Sequence, residues 1–216
     1  MTDDAAGTGT AARLSPREVR RRRRIELSRE QMLETAEHLF AERGYYETSL
    51  KDVAERCEFS VGSIYSFFDS KDALYEAVLM RHGSAQREEL HRVAARDAAA
   101  GERLVAMVRA QIEHRRKHPA WGRLHAQMIK IGGRNSADVP SVYRDFHQDI
   151  LELTARVIAD GQRDGTVRAG EPPMLARLCC ALVDSFTLMD PVVSAEPAGV
   201  NAEEFLRFVR ETFTAG

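Results

Sequence analysis

Apolar residues recur along this chain at intervals of three and four, and nowhere alternate as a half-buried strand does. Met32, Leu33, Ala36, Leu39 and Phe40 make the first stripe, and Gly44 stands where a helix C′ residue belongs. Ser28 and Gln31 read as an S-x-x-Q capping box, with Leu27 and Met32 as its staple pair, so the spacing predicts a helix starting at Ser28. Two short patterns follow. One is capped by Thr48 or Ser49 and carries Leu50, Val53 and Ala54. The other is capped by Ser60 and carries Ile64, Phe67 and Phe68, and Cys57-Glu58-Phe59 separates the two. Asp69-Ser70 opens a long polar-faced helix that Gly83 is expected to bend. Further helices are predicted over Glu102–Lys117 and Pro119–Ile131, and after a loop over 132–140 through Val142, Tyr143, Phe146, Ile150, Leu153, Val157 and Ile158. Two more are predicted over Pro172–Met189 and from Asn201 through Phe205, Leu206, Phe208 and Val209. The expected fold is all-α, with about nine helices and no internal repeat.

A helix of about seven residues is not stable alone. Two such helices across a three-residue break make sense as a helix-turn-helix, whose second member fits a DNA major groove. The expected organisation is an arm over 1–27, disordered and basic, a three-helix DNA-binding domain over 28–72, and a helical effector-binding and dimerisation domain over 73–216.

Charge refines this picture. The 216 residues carry a net charge of only −2, which taken whole argues against a DNA binder. Its distribution is uneven: residues 1–27 are net +3, whereas residues 28–75 are net −5. Five consecutive arginines, Arg20, Arg21, Arg22, Arg23 and Arg24, dominate the arm. This run must therefore supply most of the long-range attraction to phosphate, as an arm tracking the minor groove or backbone. Hydrophobic content of 44% and charged content of 30% describe a globular protein, and no apolar run approaches membrane length. The N-terminus has no hydrophobic signal core, so a cytoplasmic location is expected. Cys57, Cys179 and Cys180 stand at no metal spacing and read as reduced thiols, the last two in an apolar setting that favours packing over redox chemistry.

The segment from Ser28 to Tyr75 resembles the TetR family of transcriptional regulators. The resemblance rests on Leu39-Phe40-Ala41-Glu42-Arg43-Gly44-Tyr45, Thr48-Ser49, Val53-Ala54, Ser60, Gly62, Ile64-Tyr65, Phe68, Lys71 and Leu74. One departure stands out: the family usually has glycine in the turn where this chain has Glu58, which costs of order 1 kcal/mol if that position needs positive φ. The resemblance implies base-facing roles for Val61, Gly62, Ser63, Ser66 and Phe67, with Ser60 opening that helix. Thr48, Tyr65 and Lys71 match its usual phosphate contacts. No Arg, Asn or Gln stands in the second helix for bidentate base pairing, so the arm and DNA shape are expected to carry more specificity than usual.

The resemblance also implies a homodimer joined through the two final helices, placing Cys180, Leu182, Phe186, Phe205 and Phe208 in or near the interface. A small-molecule effector would lodge in the helical body, with Met107, Trp121, His125, Met128, Tyr143 and Phe186 as candidate lining and His125 as polar anchor. The expected function is a repressor released from a palindromic operator. DNA binding without sequence preference and ligand-independent regulation remain as alternatives.

His114 and His118 stand at metal-ligand spacing with His125 nearby. No HExxH accompanies them, and Arg115, Arg116 and Lys117 would repel a cation, so solvated histidines and no metal site or cofactor are expected. No nucleophile, phosphate-loop or dinucleotide motif supports an enzyme.

Overall fold

The structure, a computed structural model, describes residues 15–190, 192–193 and 201–215. The polar stretch Met1 to Ala12 and the loop prolines Pro191 and Pro197 lie outside them. Among the described residues the chain forms nine α-helices: α1 (Pro16–Arg43), α2 (Leu50–Arg56), α3 (Val61–Tyr65), α4 (Lys71–Ala94), α5 (Ala100–Lys117), α6 (Pro119–Gly132), α7 (Ser141–Arg163), α8 (Pro172–Met189) and α9 (Ala202–Phe213). A 3-10 turn at Ser136–Asp138 interrupts the loop after α6.

α1 begins twelve residues before its expected start. Ser15 caps it in a box with Glu18, and Pro16 occupies the first turn. Two capping boxes compete in the sequence. Arginine is a good helix former and no breaker lies between Pro16 and Ser28, so extending one helix costs less than nucleating a second. Contrary to expectation, the arginine run is therefore not part of a disordered arm. Arg20, Arg21, Arg22, Arg23 and Arg24 all lie within α1. Ser28 and Gln31 also fall inside α1, and Gln31 Nε2 instead donates to the Cys57 carbonyl at 3.4 Å, tying α1 to the turn after α2. Leu27, expected as a staple, is 64% exposed.

α1 ends at Gly44, whose N–H closes the last helical bond to the Phe40 carbonyl at 2.9 Å and whose φ of 83° then turns the chain out of the helix. Side chains also reach the carbonyls of this end. Gln127 of α6 donates to Phe40 and Ala41, and Thr48 donates to Gly44. Behind α2 and α3, Phe40 meets Tyr75 edge-on with centroids 4.8 Å apart, and Ile64 and Leu74 are fully buried.

The boundary expected between residues 72 and 73 falls in the first turn of α4, so the helix-turn-helix and the body share that helix. α4 runs through Gly83 without a break. Gly83 is buried against the Trp121 indole, where an added Cβ would stand 3.6 Å from the ring. α4, α5, α7 and α8 pack on one another around Leu90, Leu104, Trp121, Phe146, Ile158 and Phe186. α1 is bolted to α4 by charge: buried Glu37 accepts from Arg81 at 2.7 Å and from His82 at 3.1 Å, and Arg81 also holds Glu30. Burial alone would raise the Glu37 pKa, but His82 and Arg81 hold it below its usual value.

α8 corrects one expectation. By length and hydropathy it is apolar enough to cross a membrane. It is instead two-faced: Leu175, Cys179, Val183 and Phe186 turn into the core, while Met174, Leu178 and Met189 face outward.

Candidate functional site

The turn between α2 and α3 is closed by backbone. The Phe59 N–H reaches the Ala54 carbonyl at 2.9 Å and the Glu58 N–H reaches Glu55 at 3.3 Å, the two bonds of a Schellman motif. That motif demands a left-handed residue between them, and Glu58 sits at φ 58°, the one non-glycine residue at positive φ among those described. Cys57 is buried beneath the turn, with its Sγ 3.7 Å from the Ala54 carbonyl. Ser49 caps α2 in a box with Asp52.

α3 has only five residues, two fewer than its apolar pattern suggested. Ser60 Oγ accepts from the Ser63 N–H at 3.0 Å and pairs with the Ser63 hydroxyl at 2.8 Å. Ile64 is fully buried and Phe68 nearly so, which fixes the rotation of the helix. Val61, Gly62, Tyr65 and Ser66 consequently face outward, Tyr65 being 54% exposed. Ser63 is half-buried, and its carbonyl accepts the Ser66 hydroxyl at 2.7 Å.

Two expected contacts do not reach this face. Phe67 packs against the core, because the chain leaves the helix after Tyr65 and carries position 67 inward. Thr48 is 1% exposed and its hydroxyl donates to Gly44 at 2.9 Å, so it ties α1 to α2 and offers nothing to phosphate. Lys71 stands at the start of α4 with its ammonium 4.2 Å from the centre of the Tyr45 ring. The Tyr45 hydroxyl donates to Asp72, and burial together with that carboxylate pushes its pKa up to about 12. Arg20, Arg21, Arg22, Arg23 and Arg24 are each exposed. Successive helix positions turn by about 100°, so the five guanidinium groups point to all sides of α1 instead of tracking one groove.

Two exposed groups escaped the sequence reading. The Arg29 guanidinium lies 5.3 Å from the Phe68 ring centre, bringing a cation beside the end of α3. Tyr46 is 85% exposed in the loop before α2. An aromatic in a polar loop, and an arginine one turn before the apolar stripe, were the available signals.

In the body, a cavity of about 300 Å³ is lined by Met128, Ile129, Gly132, Val139, Tyr143, Arg144, His147, Gln148 and Asp184. A larger cleft of about 600 Å³ lies between Tyr45, Tyr46, Asp72 and Tyr75 and the loop before α7, and shares Met128, Val139 and Arg144 with it. Of the expected lining residues, Met128 and Tyr143 are present. Met107, Trp121 and Phe186 are 1% exposed and belong to the packed core. His125 sits behind the wall rather than in it. Tyr143 Oη donates to its Nδ1 at 2.6 Å, and its Nε2 lies 3.1 Å from Asp184.

Burial and the neighbouring Arg115 push the His125 pKa down to about 4, so the ring is neutral and its Nε2–H donates to the carboxylate. Burial opposes ionisation of Asp184, but hydrogen bonds from His125 and His147, with Arg115 at 3.8 Å, hold its carboxyl well below the usual range. Asp184 and His147 thus line this cavity beside the polar side chains of Tyr143, Arg144 and Gln148. A lone acid on the inward side of the most apolar helix was the signal for Asp184.

The expected dimer residues need similar revision. Phe186 and Phe205 stack at 4.6 Å within the single chain, and Cys180 is 6% exposed. They turn inward because α9 lies against the same side of α8 as the core. Leu182 is half-buried and Phe208 is 50% exposed. The outward apolar row is Met174, Leu178, Leu182 and Met189 of α8, with Phe208 of α9. The three cysteines are free and buried, and burial raises the Cys180 thiol to about 12.

The histidines expected to be solvated are half-buried and clustered. His82 of α4 joins His114 and His118, their nitrogens all within 4.8 Å of one another. The cations expected to oppose this face elsewhere: Arg115 reaches Thr187 and Arg116 holds Asp190 at 2.7 Å.

A family profile described as bacterial regulatory proteins, tetR family, matches residues 32–78, which span α2, α3 and the adjoining parts of α1 and α4. The HTH-type transcriptional regulator UidR of Escherichia coli K12 is 28% identical over 142 residues, 65% of this chain and 69% of UidR. Among solved structures, a putative transcriptional regulator from Saccharomonospora viridis, in complex with choline, superposes with a TM-score of 0.72 at 22% identity, covering 88% of this chain and all of that one. The ketosteroid transcriptional regulator KstR2 of Mycobacterium tuberculosis superposes with a TM-score of 0.70 at 20% identity, covering 87% and 95%.

Proposed function

The chain belongs to the TetR family of DNA-binding transcriptional regulators, and we propose that it is a homodimeric repressor released from a palindromic operator by a small molecule. The observation that carries the reading is the outward face of α3. Val61, Gly62, Tyr65 and Ser66 stand clear of the core on a helix whose other side is anchored by Ile64. Gly62 allows the duplex to approach closely, Val61 offers an apolar contact to a thymine methyl, and Tyr65 and Lys71 reach toward phosphates on either side. Arg29 and the helical arginines Arg20 to Arg24 add attraction that the acidic module itself lacks.

One such module reads only a few base pairs, so two half-sites related by a twofold axis are needed. The outward row of α8 and α9 supplies a self-complementary apolar surface for that pairing. The cavity under Tyr143 and Asp184 takes the effector, an amphipathic compound whose hydrogen-bond donor meets the Asp184 carboxylate. Its walls come from α6, α7 and α8, and the adjoining cleft reaches Tyr45 and Asp72, so occupancy bears on the placement of the reading module. The protein acts in the cytoplasm on double-stranded DNA.

Selection from a random duplex pool, read against excess random competitor, tests this reading. A palindromic consensus is expected, and Tyr65→Ala with Lys71→Ala should weaken binding to it at least tenfold. Replacing Arg20 to Arg24 with glutamine should weaken all duplexes alike and flatten the salt dependence, by about 0.9 in log–log slope for each phosphate no longer neutralised. Absence of any sequence preference would replace the repressor reading with non-specific DNA binding.

A further inference from the structure

The three-histidine cluster at the junction of α4, α5 and α6 has a role that DNA binding does not require. His82 comes from the middle of α4, His114 from the last turn of α5, and His118 from the residue linking α5 to α6. The rings of His82 and His118 lie 4.2 Å apart between centroids, and those of His114 and His118 lie 4.9 Å apart. All three side chains are half-buried. Such a gathering of imidazoles is unfavourable as a cluster of cations and contributes little as plain packing.

Two details favour a ligand. His114 hydrogen-bonds the backbone of His82, yet its Nε2 is buried with no hydrogen-bond partner. A buried acceptor left unpaired costs stability, which a bound cation would recover. His82 places Nε2 at 3.1 Å from Glu37 Oε2, so the Nε2–H donates to the carboxylate and Nδ1 is left with its lone pair free. A carboxylate that orients an imidazole in this way is the usual outer support of a metal-ligating histidine.

We propose that His82, His114 and His118 form a binding site for a divalent transition-metal ion of the zinc class, with Glu37 orienting His82 from behind. Three neutral imidazoles suit zinc, cobalt, nickel or copper and not the oxygen-seeking magnesium or calcium. A tetrahedral ion about 2.0–2.1 Å from each nitrogen needs donors about 3.4 Å apart. The observed 4.8 Å limit is within reach of small side-chain rotations. Three protein ligands leave a fourth position for water or a small anion. Among nearby cations, Arg81 is committed to Glu30 and Glu37, and Lys117 is exposed and screened by solvent. The ion would clasp the end of α5 to α4, the helix that begins with Lys71, and sit one hydrogen bond from α1.

The test uses free, untagged, full-length protein stripped with chelator, so its outcome is independent of any DNA-binding result. Titration with Co²⁺, followed by visible absorption, and with Zn²⁺, followed by calorimetry, should show one ion per chain. His114→Ala and His118→Ala should each lower affinity at least 100-fold, Glu37→Gln should lower it roughly 10–100-fold, and exposed His38→Ala should leave it unchanged. Circular dichroism checks that each variant folds. Should the variants not fold, nitrogen-15 NMR of the wild type decides, because Zn²⁺ must shift three of the seven histidine side chains. Wild-type protein without saturable binding, undiminished binding in the folded His114→Ala/His118→Ala variant, or a different set of shifted imidazoles overturns the assignment.

Discussion

The Phe59 N–H meets the Ala54 carbonyl at 2.9 Å, and the chain makes that bond only by passing through Glu58 at φ 58°. A glutamate Cβ in the left-handed region crowds its own backbone, a strain that glycine lacks. The turn geometry thus outweighs the preference of the residue occupying it. Because this turn sets the angle between α2 and α3, the strain sits at the base of the reading head.

Glu58→Gly should therefore stabilise the protein by about 1 kcal/mol. Chemical denaturation at equilibrium measures this, with an unchanged denaturant slope expected. No gain in midpoint would mean that Glu58 offsets its strain through contacts of its own.

His125 makes stability pH-dependent. Its pKa is pushed down to about 4 in the folded protein, against an unfolded value of about 6.5. Between those values the unfolded chain takes up a proton that the folded chain refuses, so stability falls as pH drops from about 6.5 to about 4. The contribution is on the order of 3 kcal/mol for one fully buried group. Denaturation at a series of pH values should show this slope, and His125→Gln should flatten it. Asp184, held low by the same network, adds a further loss only below the usual carboxylate range, as pH falls toward its folded value.

The row of Met174, Leu178, Leu182, Met189 and Phe208 predicts the oligomeric state. Leu178→Glu with Phe208→Glu should convert a dimer into a folded monomer, read by light scattering on a sizing column. Both side chains are about half exposed in the single chain, so the substitutions should leave its core intact. Phe186→Glu, by contrast, should unfold the chain, because it buries a charge beside Phe205.

Cap residues, apolar spacing and turn residues act over a few neighbours, and that local physics was enough to read about nine helices and the helix-turn-helix from the chain alone, whereas the cost at Glu58 was flagged only by the family resemblance, on condition of a positive φ. It failed where two local signals competed. Ser15 and Ser28 both begin credible capping boxes, and nothing nearby stops a helix from running through the arginines between them. Side-chain direction lies beyond such signals, because a small change in a helix's axial rotation moves a residue from surface to core. Packing of Ile64 and Phe68 turned Tyr65 outward and Phe67 inward, and the closure of α1 took the Thr48 hydroxyl away from solvent. Packing of the helical body also joined Asp184 to Tyr143 through His125 and set His82 beside His114 and His118, groupings that no spacing in the chain connects.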